Sequence, residues 1–120
     1  MVKSGLYAST KRKSSADYWR QQRVLIAGGT NGFGLVLAKL LSRFGASVMV
    51  IGRSAERVRN AMVQCEAEAD NAGHSKNRVQ GITADLSQNG EGNRVAAHCI
   101  DKLGGCDSFF FCIGQSSRSL

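Results

Sequence analysis

The chain has 120 residues, 42% of them hydrophobic, and a net charge of +7. This length and composition predict one compact domain and argue against two domains or a wholly disordered chain. The positive charge suggests an anionic partner, but it is concentrated before the first apolar strand, and the remainder of the chain is only mildly basic.

Residues 1–22 are rich in Ser, Lys and Arg and lack a sustained apolar period. We interpret them as a flexible basic lead-in to a domain that comprises residues 23–120, with Tyr18 and Trp19 as candidate anchors to that domain. A basic arm could contact nucleic acid or an anionic surface. We favour a solvated tail and expect no nucleic-acid partner.

Four short, largely apolar runs predict strands, and the residues between them predict amphipathic helices. The predicted strands are Val24–Ala27, Ser47–Ile51, Arg78–Ala84 and Asp107–Ile113. The predicted buried faces are Phe33, Val36, Leu37, Leu40, Leu41 and Phe44 in the first helix, Ala55, Val58, Ala61, Met62 and Cys65 in the second, and Val95, Ala96, Cys99, Ile100 and Leu103 in the third. Residues 88–93 are predicted to be a loop.

Alternating strands and helices are typical of an α/β fold with a doubly wound parallel sheet of the Rossmann type. Here the alternation stops after about four strands. In the usual strand order 3-2-1-4-5-6, the fourth strand would then lack a neighbour on one side. We therefore expect either a fragment of a longer protein or a chain that associates with itself or a partner through the open edge.

Three glycines, Gly28, Gly32 and Gly34, separate the first strand from the first helix in the segment A-G-G-T-N-G-F-G. Such a turn lets a pyrophosphate approach bare backbone, and the helix N-terminus offers it free N–H groups. The flanking strand and helix supply the context that a dinucleotide site requires. We therefore predict that this turn, including Thr30, Asn31 and Phe33, binds a dinucleotide cofactor.

The spacing G-x-x-x-G-x-G resembles the short-chain dehydrogenase/reductase family, with Ala27 where that family has threonine. The resemblance covers residues 23–114. It implies that the residue after the second strand selects the cofactor. Because Arg53 stands there, followed by Ser54, and can pair with a 2′-phosphate, NADP(H) is favoured over NAD(H). If Arg53 is instead only an exposed arginine at the start of a helix, the preference between NADP(H) and NAD(H) stays open.

Two further places carry the resemblance. Asp85 and Leu86 match the family's D-[VL] pair beside the adenine, although Asp85 could equally cap a turn. The fourth strand ends in F-C-I-G where the family has N-N-A-G, so the backbone of Ile113 and Gly114 would line the nicotinamide-side ribose. Phe111 cannot make the hydrogen bonds of the family's asparagine.

The resemblance implies catalysis by a serine, a tyrosine and a lysine downstream of the fourth strand, beyond Leu120. Tyr7 and Lys11 have the Tyr-x-x-x-Lys spacing but precede the glycine turn, so we assign them no catalytic role. We interpret Ser116, Ser117 and Ser119 as tail residues. The catalytic residues and the substrate therefore stay unassigned.

Three functions are compatible with these features. The leading hypothesis is the NADP(H)-binding part of a carbonyl/alcohol oxidoreductase, catalytically incomplete as this chain. The alternatives are a non-catalytic NADP(H)-binding module and a Rossmann scaffold for a nucleic-acid-binding arm. No stretch has the roughly 18 uninterrupted apolar residues of a membrane span. The four cysteines and two histidines show no metal-binding pattern, so we expect a cytoplasmic protein with reduced cysteines and no metal.

Overall fold

The computed structural model describes residues 15–112, in which helices and strands alternate. The strands are β1 (Arg23–Ala27), β2 (Ser47–Gly52), β3 (Val79–Thr83) and β4 (Ser108–Phe111). The helices are α1 (Ser15–Trp19), α2 (Gly32–Arg43), α3 (Ala55–Asn71) and α4 (Glu91–Leu103), and a short 3₁₀ turn, Lys76–Arg78, precedes β3. Within residues 15–112, no helix is long and apolar enough to cross a membrane.

The four strands form one parallel sheet in the order β3-β2-β1-β4. In the middle of the sheet, Ile26 pairs with Val50 on one side and with Phe110 on the other. This order confirms the predicted Rossmann-type α/β fold. It also puts β4 at an edge of the sheet that the described residues form.

The central strands are buried on both faces, which explains their continuous apolar sequences. Successive side chains of a strand point to opposite faces. Val24, Ile26 and Val50 therefore lie in a core layer beneath α2 and α3. Leu25 and Met49 lie in a second layer with residues of α4.

The predicted buried face of α2 is wrong in part. Phe33, Val36 and Leu40 are 69%, 62% and 38% exposed. The helix instead buries Gly34, Ala38, Leu41 and Ser42. Small residues recurring every four positions let α2 approach its neighbours closely, and a search for large apolar residues does not detect such a face.

The prediction that β4 is buried on both faces is also wrong. Phe109 and Phe111 are 55% and 62% exposed, whereas Phe110 packs against the first core layer. Helix α4 packs mainly over β2 and β3, so it leaves this face of β4 uncovered. The apolar run of β4 thus becomes an exposed aromatic surface.

The remaining differences concern the ends of elements. Helix α4 begins at Glu91, so the predicted loop ends at Gly90, whose φ of 83° is left-handed. Only Val95 and Cys99 of its predicted face are buried, and Ile100 is 61% exposed. Part of the predicted flexible lead-in is helix α1, where Trp19 packs against the core.

Candidate functional site

The turn from β1 to α2 is built around Gly28, which has a φ of 80°. Its N–H donates a hydrogen bond to the carbonyl oxygen of Ile51 at 3.0 Å. A methyl group added at Gly28 would collide with the carbonyl oxygen of Cys112, just after β4. Only glycine satisfies both the left-handed conformation and this close backbone approach.

The other two glycines have different surroundings. A methyl group on Gly34 would collide with the carbonyl oxygen of Gly28, so Gly34 allows the first turn of α2 to pack on the glycine turn. Gly32 has a φ of 55°, and nothing lies within 4 Å of where its Cβ would be. The turn is therefore closely packed on its inner side and bare on its outer side.

The N-terminus of α2 lies at this bare surface. Asn31 is extended, its carbonyl oxygen accepts a hydrogen bond from the Leu35 N–H at 3.2 Å, and its side chain makes no capping hydrogen bond. The N–H groups in the first turn of a helix have no intrahelical acceptors, and they carry a partial positive charge. These N–H groups are the donors that an anionic phosphate needs, and Phe33 is exposed beside them.

The glycine turn contacts the end of β2 through Thr30. A methyl group added at Gly52 would lie 2.6 Å from the Cγ2 atom of Thr30, so these two residues pack directly on each other. We did not predict a role for Gly52 from the sequence. The available signal was a glycine between a buried apolar strand and Arg53.

Arg53 and Ser54 follow β2 at the same edge of the sheet. Arg53 is exposed, and Ser54 caps α3 by accepting a hydrogen bond from the Arg57 N–H at 3.3 Å. This hydrogen bond makes Ser54 the N-cap of α3. Because it uses a lone pair of the Ser54 oxygen, the Ser54 hydroxyl can still donate a hydrogen bond to a ligand.

Asp85 follows β3 and caps its own turn. Its Oδ1 accepts hydrogen bonds from the Ser87 hydroxyl at 2.7 Å and the Ser87 N–H at 3.0 Å. These bonds are the main reason that the pKa of Asp85 is lowered, and the charge of Arg53 contributes. The turn-capping alternative is thus present in the structure, and the Arg53 charge acts on the same carboxylate.

A carboxylate that we did not predict supports this turn. Glu91 Oε1 accepts a hydrogen bond from the Asp85 N–H at 3.4 Å, and Arg94 holds the Glu91 carboxylate at 2.8 and 2.9 Å. Both residues belong to the first turn of α4, and Glu91 lies in the segment 88–93 that we predicted to be a loop. Leu86, which follows Asp85 in the chain, is half-buried and packs against the second core layer.

The structure therefore brings together the glycine turn, the end of β2 and the end of β3. The Cys112 N–H bonds to the Ala27 carbonyl oxygen at 2.8 Å, so the chain leaving β4 passes beside the turn. Ile113 and Gly114 lie outside the described residues. The same holds for Tyr7, Lys11 and Ser116, Ser117 and Ser119.

A separate hollow of about 710 Å³ lies between α4 and β4. Its wall is almost entirely apolar. It is lined by Leu25, Leu86, Gly92, Val95, Ala96, Ile100, Gly105, Cys106, Phe109 and Phe111. Among residues 15–112, only Leu86 belongs both to this hollow and to the predicted cofactor site.

Two proteins of known function illustrate the sequence similarity. The 3-ketodihydrosphingosine reductase of Neurospora crassa is 30% identical over 119 residues, which are 97% of this chain and 32% of that protein. Gluconate 5-dehydrogenase of Gluconobacter oxydans is 48% identical over 46 residues, which are 38% of this chain and 18% of that protein. The chain thus spans at most about a third of these relatives.

Solved structures show the same relationship. Glucose dehydrogenase of Caenorhabditis elegans superimposes with a TM-score of 0.70 and 29% identity, covering 81% of this chain and 39% of that one. The C-domain of a bacterial malonyl-CoA reductase with NADP gives a TM-score of 0.69 and 25% identity, covering 73% and 14%. A family model for short chain dehydrogenases matches residues 22–119. With this match and the strand order β3-β2-β1-β4, the chain belongs to the short-chain dehydrogenase family.

Proposed function

We propose that the chain is the NADP(H)-binding part of an oxidoreductase that interconverts a carbonyl and an alcohol. The observation that carries this proposal is the bare glycine turn at the N-terminus of α2, with Arg53 at the end of the adjacent strand. A dinucleotide pyrophosphate needs such a backbone surface. A guanidinium at the neighbouring strand end suits the 2′-phosphate that distinguishes NADP(H) from NAD(H).

Each part of the cofactor has candidate partners in this chain. We assign the pyrophosphate to Gly28, Gly32 and Gly34 with Thr30, Asn31 and Phe33 beside them, the 2′-phosphate to Arg53 and Ser54, the adenine to Asp85 and Leu86, and the nicotinamide-side ribose to Ile113 and Gly114. The fit is best supported at the pyrophosphate, where Gly32 has open space beside it and the N–H groups of the first turn of α2 are available.

Cofactor selectivity follows from charge. Arg53 is exposed, and it directly follows β2, where NAD-selective Rossmann domains have a carboxylate. Its charge contributes to the lowered pKa of Asp85, so the two residues interact electrostatically where β2 and β3 end. The likeness to an NADP-containing domain at 25% identity agrees with this preference.

The bound nicotinamide would supply or accept the hydride. The residues of this chain would hold the phosphates and orient the cofactor, and no proton donor for the substrate oxygen is assigned among them. We therefore propose that the chain binds the cofactor without completing catalysis. A non-catalytic NADP(H)-binding module is the alternative, and turnover of a carbonyl substrate by the chain alone would reject both.

We also propose that the chain associates with itself or with a partner chain through the β4 edge. Phe109 and Phe111 are more than half exposed on the last strand of the described sheet, and they line the apolar hollow beside it. Covering this surface would bury aromatic area that water now contacts.

We propose that the protein resides in the cytoplasm. The basic arm is a less favoured nucleic-acid contact, and residues 1–14 of it lie outside the described range.

The decisive experiment is a titration of the chain with NADPH and NADH, followed by cofactor fluorescence. We expect NADPH to bind about 10–100-fold more tightly, because hydrogen bonds to a charged group contribute about 1.5–3 kcal/mol. Arg53→Glu should abolish this preference, whereas Arg59→Glu, an equal charge change on exposed α3 surface, should keep it. Equal binding of both cofactors would contradict the assigned selectivity, and binding of neither would contradict the site.

A further inference from the structure

Two cysteines lie close in sequence near the end of α4, one within the helix and one in the connection to β4. Cys99, in α4, is fully buried, whereas Cys106, just before β4, is exposed. The Cys99 thiol donates a hydrogen bond to the carbonyl oxygen of Gly105 at 3.3 Å. Since Gly105 directly precedes Cys106, the exposed cysteine lies one residue along the chain from the group that the Cys99 thiol contacts.

The exposed thiol also influences the pKa of the buried one. Burial is the main reason that the pKa of Cys99 is raised to about 12, and the charge of Cys106 and a hydrogen bond with its thiol add to the shift. The Arg23 guanidinium lies close enough to interact electrostatically with both cysteines. Its Nη1 donates to the carbonyl oxygen of Gly104 at 2.9 Å, which fixes the connection beside the pair.

The other two cysteines are placed differently. Cys65 and Cys112 pack with the first core layer, on the opposite side of the sheet from Cys99. Burial raises the pKa of Cys65 to about 11. The sheet therefore separates them from the pair. Of the four cysteines, Cys106 is the exposed one.

We propose that Cys99 and Cys106 are an oxidation site at which hydroperoxides convert two thiols into an intramolecular disulfide. The exposed Cys106 thiolate attacks one peroxide oxygen, the O–O bond breaks, and with hydrogen peroxide a sulfenic acid forms as hydroxide leaves and is protonated to water. The Cys99 sulfur then attacks the sulfenic sulfur, forming the S–S bond, and the Cys99 proton leaves with the displaced hydroxyl as a second water. Overall, two thiols and one hydrogen peroxide give one disulfide and two waters.

The position of the pair determines what the bond would change. Cys106 lines the apolar hollow, and the disulfide would withdraw its thiol from that wall while tying the end of α4 to the start of β4. A crosslink over so short a loop stabilises the connection that it closes. The site is independent of the proposed cofactor function, because none of its residues belongs to the glycine turn.

The test is oxidation of the folded chain with equimolar hydrogen peroxide, followed by alkylation, trypsin digestion and mass spectrometry. We expect the intact mass to fall by two hydrogens and peptide 95–102 to be linked to peptide 103–118. Because the latter also contains Cys112, the experiment is repeated with Cys112→Ser, which should form the same link. A Cys99 that stays fully alkylatable while Cys106 is oxidised would overturn the proposal.

Two variants separate this pair from other oxidation products. Cys106→Ser, an exposed substitution, should leave Cys99 unmodified at the same peroxide dose. Cys99→Ala should stop Cys106 at the sulfenic acid, which dimedone traps. If Cys99→Ala does not fold, the Cys106→Ser result decides alone. Disulfide-linked dimers through Cys106 on a non-reducing gel, without the internal link, would also overturn the proposal.

Discussion

At the scale of single residues, two helical glycines make a matched pair. An added methyl group would collide with the Gly28 carbonyl oxygen at Gly34, but would meet nothing within 4 Å at Gly92. We expect Gly34→Ala to lower the free energy of unfolding by about 1–3 kcal/mol, the usual cost of overpacking. Gly92→Ala should raise it by up to about 1 kcal/mol, because alanine restricts the unfolded chain.

Urea denaturation of the two variants measures both effects. A Gly34→Ala chain as stable as the unsubstituted protein would contradict the close packing of α2 on the glycine turn. If the variant stays folded, its NADPH affinity should fall while that of Gly92→Ala is unchanged. This difference between the two variants would show that NADPH affinity depends on the shape of the glycine turn and not on general stability.

At the same scale, the sequence identified most of the candidate site but not its supporting contacts. The glycine spacing and Arg53 could be recognised from the sequence because each depends only on residues that are close together in the chain. The packing contact between Thr30 and Gly52 joins residues of different elements or turns, and so does the hydrogen bond from the Asp85 N–H to Glu91. They depend on how β2, β3 and α4 meet, which periodicity does not specify.

At the scale of elements, an ion pair joins the start of β1 to the residue before β4. The Arg23 side chain donates to the Asp107 carboxylate at 2.9 and 3.1 Å, and the Arg23 N–H donates to it at 2.8 Å. These hydrogen bonds, the side-chain ones foremost, lower the pKa of Asp107. A carboxyl group whose pKa is lower in the folded state stabilises the fold above its unfolded pKa, and this contribution is lost as the pH falls through its folded pKa.

We therefore expect Asp107→Asn to reduce stability at neutral pH, with the difference from the unsubstituted protein shrinking as the pH falls through the depressed pKa of Asp107. Asp101→Asn, an exposed change of the same charge on α4, should have little effect at any pH. Urea midpoints measured across the acid range check both. A difference that stays constant with pH would show that the Asp107 charge is not the stabilising feature.

The elements themselves were predicted well where large apolar residues mark them. The four strands lie where their apolar runs predict, within a few residues at each end. The errors concern which faces are covered. In α2, Gly34, Ala38 and Ser42 form the packing face, and in β4 the Phe109 and Phe111 face is open. A sequence pattern indicates that a face is apolar, but only the packing decides whether another element covers it.

At the scale of the whole molecule, the uncovered side of β4 leads to the last prediction. The Phe109 and Phe111 rings contact each other, with centroids 6.2 Å apart, and both line the hollow beside α4. Since burial of an aromatic side chain contributes about 1.5–3 kcal/mol and each ring is already partly buried, covering either ring should change the dissociation constant of the associated chains about tenfold.

We expect the chain to self-associate in a concentration-dependent way, and Phe111→Lys to weaken that association about tenfold. Phe33→Lys, at an exposed aromatic on α2, should leave it unchanged. Sedimentation equilibrium measures all three chains, and a monomer that persists at high concentration would contradict self-association through the β4 edge.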